Sequence, residues 1–502
     1  DVEIPDVALA DFVLEHATER GDRPAVVDGP SGRVVSYAEV AERVRRLTGA
    51  LAAGGVAAGD VVALCASNSP EYAIAFHGTA AAGAVCTTIN PLYTVDEIAF
   101  QLEHSGAQVL ISSPDGLDRA RDAARRAGVS AVHALDDALL DGDPSAAPTA
   151  PVEPGELVAL PYSSGTTGLP KGVMLTHRNL VANILQSTAQ QPIEEHDTVM
   201  AVLPFFHIYG LNVIMNGVLR NGATAVSMPR FDLEQFLALI EEHRVTKLHV
   251  VPPIVLALAK SPHVDRHDLS SLQLINSGAA PLSAELAQAA AERVGCPVVQ
   301  GYGMTESSPV THVTPIERSC HRPGSIGPPV PNTECRIVDV ATGAELGPGE
   351  AGEVCVRGPQ VMRGYIDDPE ATAATIDADG WLHTGDVGRA DEDGYVVLVD
   401  RVKELIKYKG YQVSPAELEA ILVEHPAVAD AAVVARPDEE AGEVPQGYVA
   451  LAGDATPEEI MAFVSERVAP YKKLRALDVV DEIPKSASGK VLRRVLADRA
   501  RS

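Results

Sequence analysis

A strand, a helix and a second strand, joined by short segments, form the pattern in this sequence that most constrains the fold. Residues 61–66 are an apolar run. Ser69 followed by Pro70 is typical of a helix start, with the serine as cap and the proline as the first helical residue. After a helical segment that ends at a glycine, residues 84–89 form the next apolar run. Such a unit predicts a parallel sheet. Because the same order recurs near residues 108–127 and 246–253, we expect an α/β protein.

Residues 162–172, YSSGTTGLPKG, combine four serine and threonine hydroxyls, three glycines and one lysine. Glycine lets the backbone turn its N–H groups onto a bound anion, hydroxyls add donors without bulk, and Lys171 adds a point charge. This set of groups predicts a loop that binds a polyphosphate. It differs from a Walker A loop, in which Ser or Thr follows Gly-Lys, because here Lys171 precedes Gly172. A serine- and glycine-rich surface loop is the alternative interpretation.

The chain has 502 residues, which is enough for two or more domains with a large core. Its net charge of −29 argues against nonspecific nucleic-acid binding. The lysines nevertheless concentrate late in the chain, at Lys403, Lys407, Lys409, Lys472, Lys473, Lys485 and Lys490. This concentration indicates a segment of distinct character, and a solvated basic face is the alternative.

The six cysteines form no CxxC pair and lie mostly in apolar strings, so we interpret them as reduced, buried thiols. The first residues are acidic and no long apolar stretch follows them, which predicts no signal peptide. The sequence also lacks an uncharged apolar run of roughly 18 residues, so no membrane span is expected. Together these features predict a cytoplasmic protein.

Two glycine-containing turns are predicted at the carboxyl ends of strands, where open α/β sheets bind ligands. Residues 272–275 are predicted as a strand that leads into residues 277–281, SGAAP. Residues 297–300 lead likewise into residues 301–306, GYGMTE. Earlier in the chain, His207 lies within LPFFHIYG, and a single histidine in apolar company is usually a satisfied core residue.

The sequence changes character near Glu334, where short alternating runs with regular glycines predict a small β-barrel or meander. Residues 393–394, DG, predict a hairpin turn in this part. We place a domain boundary at residues 400–403, where the lysine-rich segment begins. Ser414, followed by Pro-Ala-Glu, predicts a helix start after the boundary. Residues 484–490, PKSASGK, predict a flexible loop that presents a lysine.

With these motifs in order, the chain resembles the acyl-adenylate-forming superfamily, especially 4-coumarate–CoA and cinnamate–CoA ligases of bacterial type. The resemblance rests on five segments in family order, residues 162–172, 301–306, 383–386, 400–410 and 489–490. It implies a large N-terminal domain, residues 1–400, with two α/β subdomains and a small β-barrel. It also implies a small, mobile α+β C-terminal domain, residues 401–502, with a hinge near residues 400–403.

The resemblance implies a reaction in two steps that uses ATP, Mg²⁺ and coenzyme A. A carboxylate attacks the α-phosphorus of ATP to give acyl-AMP and pyrophosphate, and the coenzyme A thiolate then displaces AMP. Such chemistry asks the protein mainly for positioning and charge neutralisation. The expected partners are therefore small molecules, with no nucleic acid and no membrane, and the sequence is compatible with a monomer or a homodimer.

The resemblance also assigns a role to each candidate residue. Glu306 is the expected Mg²⁺ ligand, a hard oxygen for a hard cation. The residues expected to bind ATP or AMP are Ser163, Ser164, Gly165, Thr166, Thr167, Gly168, Lys171, Ala279, Gln300, Gly301, Tyr302, Thr305, Asp386 and Arg401. The expected catalytic residues are Lys490, His207, Lys407 and Gln412, with Lys490 acting in the first step. The expected coenzyme A contacts are Arg230, Lys409 and Gly410.

The acyl group and its adenylate are expected to contact Ile208, Tyr209, Val213, Gly278, Gly303, Pro309, Val310 and Lys403. The tyrosine and the glycines resemble those of hydroxycinnamate-activating members, in which a flat slot holds a planar ring. Two residues depart from that pattern, because Val213 stands where the plant enzymes commonly carry a serine and Arg230 replaces a lysine. We predict a substrate such as 4-coumarate, with cinnamate or a medium-chain fatty acid as alternatives.

Two further enzyme classes share these motifs. A carrier-protein-loading enzyme that activates amino acids would need an acidic partner for the substrate ammonium, and the predicted pocket contains none. A luciferase-like monooxygenase uses the same adenylate and stays an alternative, which the addition of a luciferin would distinguish.

Overall fold

The computed structural model describes residues 1–163, 170–401, 404–408, 411–438, 441–468, 470–485 and 491–501. Within them the predicted strand–helix–strand unit is confirmed, because Val61–Cys65 and Val85–Ile89 are parallel neighbours and Pro70–Ala81 is the helix between them. The Ser69 side chain accepts the N–H of Tyr72 and so caps this helix.

This unit belongs to an eight-stranded sheet whose central strands are parallel. In spatial order its strands are Gly364–Tyr365, Lys171–Thr176, Leu157–Ala159, Val85–Ile89, Val61–Cys65, Ala107–Ser112 and Ala131–Ala134. The short strand Tyr162–Ser163 pairs with Lys171–Thr176. Pairing is antiparallel at this end of the sheet, on both sides of Lys171–Thr176.

A second eight-stranded sheet holds the predicted unit near residue 250. In spatial order its strands are Val310–Val313, Val298–Gly303, Leu274–Ser277, Lys247–Val250, Thr198–Ala201, Thr224–Ser227, Pro24–Asp28 and Arg33–Ser36. The two outermost pairs are antiparallel and the pairs between them are parallel. The carboxyl ends of the central strands therefore meet at one edge of the sheet.

One segment that was predicted as a turn is a strand. Val298–Gly303 continues through the first glycines of the predicted turn, and its last three residues pair with Val310–Val313. Glycine permits this close pairing, because a Cβ on Gly303 would lie 2.0 Å from the carbonyl oxygen of Pro309. The chain turns only after the strand, at Thr305–Ser307.

The alternating segment after Glu334 forms a four-stranded antiparallel meander. Its strands are Glu334–Val338, Gly352–Arg357, Leu382–Ala390 and Val396–Arg401. The predicted hairpin joins the last two strands, and Gly394 adopts a φ of +82° that favours glycine. Of the two forms predicted from the sequence, the meander is the one that the described residues take.

A five-stranded sheet forms the C-terminal part of the structure. Its strands are Tyr411–Val413, Ile406–Tyr408, Gly442–Leu451 and Val428–Asp438 in spatial order, with Ala476–Val479 paired to Gly442–Leu451. Helix Pro415–Glu424 begins as predicted, because the Ser414 side chain accepts the N–H of Glu417. These elements confirm the predicted class, an α/β protein with a small α+β C-terminal part.

Helices pack on all the sheets. Pro70–Ala81 and His177–Gln190 contact strands of both eight-stranded sheets and therefore lie between them. The other α-helices are Leu9–Leu14, Ala17–Arg20, Tyr37–Ala53, Val95–Ser105, Leu117–Ala127, Gly217–Asn221, Leu233–Glu242, Pro252–Lys260, Ala284–Val294, Pro369–Thr375, Pro457–Ser465 and Arg493–Arg501. A π-helical segment spans Tyr209–Asn216.

A single large apolar cluster extends across both eight-stranded sheets and includes Phe76, Phe205 and Ile275. The C-terminal part has separate clusters, one of which contains Ile406 and Leu418. All six cysteines are free thiols and four of them are buried, as the sequence predicted. Among the described residues, no helix has both the length and the apolar character needed to cross a bilayer.

Candidate active site

A cavity lies at the carboxyl ends of three neighbouring parallel strands of the second sheet, Lys247–Val250, Leu274–Ser277 and Val298–Gly303. The strand Leu274–Ser277 leads into Gly278 and Ala279, and Val298–Gly303 leads towards Thr305, all of which line the cavity. Open α/β sheets bind ligands at this position. Ala279 adopts a φ of +69°, which is rare for a residue with a Cβ, and strain of this kind collects at functional sites.

The structure brings the predicted acyl-binding residues together around this cavity. The lining includes Ile208, Tyr209, Val213, Gly278, Gly301, Gly303, Pro309 and Val310. The absence of a side chain on Gly278 matters, because a Cβ there would lie 2.9 Å from a ring carbon of Tyr209. Glycine therefore lets the tyrosine ring approach the strand end closely. The remaining predicted contact, Lys403, lies outside the described residues.

His207 borders the same cavity and is half-buried. Its Nδ1 accepts the N–H of Tyr209 at 3.3 Å, and the π-helical segment Tyr209–Asn216 follows. Helices of this type are rare and occur frequently at functional sites. The position of His207 therefore differs from that of a histidine packed in the core.

The structure describes only the two ends of the predicted phosphate loop, residues 162–163 and 170–172. Ser163 and Lys171 lie opposite each other in an antiparallel pair. The Ser163 hydroxyl oxygen is buried and has no hydrogen-bond partner among the described residues, which makes it a candidate donor to a ligand oxygen. The other predicted loop contacts, Ser164, Gly165, Thr166, Thr167 and Gly168, lie outside the described residues.

Tyr365 connects the loop lysine with the predicted Mg²⁺ ligand. Its hydroxyl donates to Glu306 Oε1 at 2.8 Å, and Lys171 Nζ lies 5.0 Å from the centre of its ring. Lys171 Nζ is also 3.5 Å from Asp368 Oδ2. Burial, and then the charge of Glu306, raise the pKa of Tyr365, so its hydroxyl stays protonated and donates. The buried carboxylate of Glu306 is thereby held in place as a hard oxygen ligand that fits Mg²⁺.

Asp386 is buried in the meander, where the Tyr302 hydroxyl donates to its Oδ2 at 2.5 Å. Arg401 lies opposite Asp386 in the paired strands, although its side chain is outside the described part of the structure. Glu353 holds the strand just before Asp386, because its Oε1 accepts the N–H of Gly385 at 2.9 Å. An ionised carboxylate at this position only accepts hydrogen bonds, which suits the two hydroxyls of a ribose.

Some predicted residues lie away from the cavity or outside the description. Gln300 is buried in its strand and is not part of the described lining, and Arg230 is exposed beyond Thr224–Ser227. Lys407 and Gln412 lie opposite each other on paired strands, with side chains outside the described part of the structure. Lys409, Gly410 and Lys490 lie wholly outside the described residues.

Sequence reasoning missed Tyr365, His249 and Asn276. Tyr365 reaches Glu306 only through the pairing of Gly364–Tyr365 with the strand after the phosphate loop. His249 and Asn276 line the cavity from within strands, whereas the glycine-rich motifs pointed to residues beyond the strand ends. A signal was present for both, because each is a polar residue in an otherwise largely apolar strand.

Two family models match the chain. The model for AMP-binding enzyme matches residues 13–366, and the model for AMP-binding enzyme C-terminal domain matches residues 417–490. The first match contains every described residue that lines the cavity.

Known proteins resemble the chain over nearly its whole length. A 4-coumarate–CoA ligase of Pinus taeda is 44% identical, over 99% of this chain and 96% of its own. The anthranilate CoA ligase AuaEII, solved in complex with anthranoyl-AMP, has a TM-score of 0.92 at 27% identity and covers 100% of this chain and 98% of its own. The o-succinylbenzoate coenzyme A synthetase MenE from Bacillus subtilis, solved with ATP and a magnesium ion, has a TM-score of 0.85 at 31% identity, over 96% of this chain and 98% of its own.

We predict that Tyr365→Phe weakens the binding of Mg²⁺–ATP by about 10-fold, as the loss of a group that orients a metal ligand commonly does. The substitution removes the donor to Glu306 and leaves the ring beside Lys171 in place. Isothermal titration calorimetry measures the affinity. Tyr395→Phe is the matched control, because Tyr395 stacks on Arg322 in the meander, away from Glu306. Equal affinities in the two variants would contradict the role of Tyr365.

Proposed function

The chain belongs to the AMP-binding enzyme family, and on that premise we propose that it is an ATP-dependent acid–thiol ligase. It joins a carboxylic acid to coenzyme A and releases AMP and pyrophosphate. One observation carries the proposal: an apolar cavity shares Thr305 and Tyr302 with a polar site that contains Glu306 and Asp386. The 44% identity with a 4-coumarate–CoA ligase supports it.

In the first step, an oxygen of the substrate carboxylate attacks the α-phosphorus of ATP, and the bond between that phosphorus and pyrophosphate breaks. Lys171 and Ser163 hold the β- and γ-phosphates, and Thr305 lies at the α-phosphate. Glu306 would hold Mg²⁺, and the bound ion would supply charge neutralisation for the phosphate oxygens. The protein contributes mainly by fixing the reacting groups and offsetting their charge.

The nucleoside occupies the side of the cavity that carries Tyr302. Asp386 accepts the two ribose hydroxyls, with Arg401 beside it, and the buried position of Asp386 supports this role. Ala279 and Gly301 line the adenine side with Tyr302. Gln300 is buried in the same strand, directly before Gly301, and supports the adenine side from beneath.

In the second step, the coenzyme A thiolate attacks the acyl carbon, and the carbon–oxygen bond to AMP breaks. His207 controls access to the acyl group from its position at the cavity, and Lys407 and Gln412 serve this step. Arg230, Lys409 and Gly410 contact coenzyme A. The exposed position of Arg230 suits a contact with a large, hydrophilic cosubstrate.

The two steps use different faces of a mobile C-terminal domain. Residues 401–502 rotate against residues 1–400 about a hinge at residues 400–403, so that one cleft serves two reactions. Lys490 neutralises charge in the first step and leaves with its domain, while Lys403 contacts the adenylate. The separate apolar clusters of the C-terminal part support its movement as a unit.

The acid is a cinnamic acid or a hydroxycinnamic acid such as 4-coumarate. The aromatic ring of Tyr209, which packs closely on Gly278 and lines the cavity, favours a planar ring as the acyl group. A medium-chain fatty acid is the second candidate, because Val213, Pro309 and Val310 give the cavity an apolar wall.

We also propose that the enzyme works in the cytoplasm. Six free cysteines support this location, because cysteines in oxidising compartments are commonly paired.

A panel of acids tests the substrate. We predict that cinnamic, 4-coumaric and ferulic acids form thioesters with ATP and coenzyme A, measured at the thioester absorbance, and that octanoic and benzoic acids react more slowly. The aromatic ring of Tyr209 in the cavity wall favours a planar conjugated acid over the flexible chain of octanoic acid, and benzoic acid is shorter than the cinnamic acids and fills less of the cavity. Reaction of octanoic acid alone would overturn the hydroxycinnamate assignment, and light emission with an added luciferin would favour a monooxygenase.

Two lysine variants separate the half-reactions. We predict that Lys490→Ala abolishes carboxylate-dependent ATP–pyrophosphate exchange yet still forms thioester from supplied acyl-AMP, because Lys490 serves only the first step. Lys407→Ala should show the opposite bias. Lys485→Ala is the control, since Lys485 lies in the same tail and pairs with Asp430 at 2.5 Å. Normal exchange by the Lys490 variant would refute the assignment.

A further inference from the structure

Three side chains with metal-binding atoms converge on one face of the meander. Glu353 and Cys355 are two residues apart on the strand Gly352–Arg357, so their side chains point to the same face. His383 is the direct partner of Cys355 on the neighbouring strand Leu382–Ala390. A carboxylate oxygen, the thiol sulfur and a ring nitrogen of these residues all lie within 4.8 Å of one another. We call the three residues the meander triad.

The distances within the meander triad are close to those of a tetrahedral metal site. His383 Nδ1 lies 3.4 Å from Cys355 Sγ and 2.9 Å from Glu353 Oε2. Zn²⁺ binds sulfur at about 2.3 Å and nitrogen or oxygen at about 2.0–2.2 Å, so its tetrahedral ligands are roughly 3.5 Å apart. An ion at the centre of the triad therefore requires only small shifts of the three side chains.

His383 Nδ1 cannot form a full hydrogen bond with both of its neighbours in the triad. A ring nitrogen carries either a hydrogen or a lone pair. Burial raises the pKa of the Cys355 thiol to about 12, so without a metal ion the sulfur keeps its hydrogen. If Nδ1 donates to the carboxylate of Glu353, it cannot also accept the thiol hydrogen. A metal ion pairs with all three atoms at once, because each of them can donate an electron pair to it.

Neighbouring groups hold two of the three side chains in the orientation that a metal site requires. Glu353 Oε1 accepts the N–H of Gly385 at 2.9 Å, which leaves Oε2 directed at the triad. On the far side of the His383 ring, Nε2 lies 3.6 Å from Asp377 Oδ2. Metal-bound histidines commonly turn their second ring nitrogen towards a carboxylate, which orients the ring and raises its basicity. Asp377 is therefore an outer partner of the site.

Access and charge also fit a divalent ion. Cys355 is fully buried, whereas the side chains of His383 and Glu353 are 32% and 17% exposed, so solvent reaches the triad from one side. Arg336 is the partner of Cys355 on the third strand, and it pairs with Asp377 at 3.2 Å. With a divalent ion bound, the charges of the ion and Arg336 balance those of the thiolate, Glu353 and Asp377.

We propose that the meander triad binds one divalent transition-metal ion of the zinc type, at a site separate from the proposed Mg²⁺ ligand Glu306. Thiolate and imidazole ligands favour zinc-type ions, whereas Mg²⁺ prefers oxygen ligands. Three protein ligands leave a fourth position for a water molecule. Binding replaces the S–H bond of Cys355 with a bond between sulfur and the metal, and the proton passes to solvent.

The test titrates Zn²⁺ and Co²⁺ into the full chain after treatment with a chelator, without nucleotide or Mg²⁺. We expect one tight Zn²⁺ site per chain by isothermal titration calorimetry, and a sulfur-to-cobalt charge-transfer absorption with Co²⁺. Loss of an outer partner costs about 10- to 100-fold in metal affinity, so Asp377→Asn should weaken Zn²⁺ binding about 10-fold. Cys355→Ser removes a direct ligand, so it should abolish the absorption and weaken binding by more than about 100-fold.

Cys335→Ser is the matched control. Cys335 is a half-buried thiol of the neighbouring strand Glu334–Val338, but it pairs with Val356 and therefore faces the opposite side of the meander from Cys355. The Zn²⁺ affinity and the cobalt absorption of this variant should equal those of the wild type.

The outcomes decide the proposal independently of the ligase activity, because the titration contains no substrate. Absence of the charge-transfer absorption in the wild type, or its retention in Cys355→Ser, would overturn the proposal and leave the triad as a hydrogen-bonded cluster. If circular dichroism shows that Cys355→Ser does not fold, His383→Gln takes its place. Wild-type Zn²⁺ affinity in His383→Gln would then overturn the proposal, and a loss of more than about 100-fold would support it.

Discussion

The parallel pairing of the strands at the centre of the second sheet is the constraint on which the site depends. Because these strands run in one direction, Gly278 and Gly303 reach the same edge although they are far from each other in the sequence. The glycines then allow Tyr209 and Pro309 to approach the strand ends closely, and both residues line the cavity. A change of strand direction or register would separate these residues and remove the cavity, whatever their identities.

The electrostatics of the site are local. A chain with a net charge of −29 repels a polyanion at long range, but charges are screened beyond roughly 8 Å at physiological ionic strength. Binding of a nucleotide therefore depends on groups in contact with it. Tyr365 donates to Glu306 and lies beside Lys171, so one side chain contacts both the proposed Mg²⁺ ligand and the proposed phosphate-binding lysine.

The sequence predicted correctly those elements that depend on neighbouring residues alone, such as a capped helix or an apolar strand. The cap at Ser69 and the apolar run of residues 61–66 indicated their helix and strand correctly. The strand through Gly303 was missed, because glycines favour turns locally and only pairing with Val310–Val313 makes them a strand. The hydrogen bond from Tyr365 and the contact between His249 and Asn276 arise from register between distant segments, which no local pattern encodes.

The central claim is that the substrate carboxylate attacks the α-phosphorus of ATP. It is tested most directly with 4-coumarate labelled with oxygen-18 in its carboxylate, followed by mass spectrometry of the products. Attack at the α-phosphorus leaves the bridging carboxylate oxygen on AMP when coenzyme A displaces it, so the account predicts one labelled oxygen in AMP and none in pyrophosphate. Formation of ADP with the label in inorganic phosphate would contradict the account, because it would show attack at the γ-phosphorus.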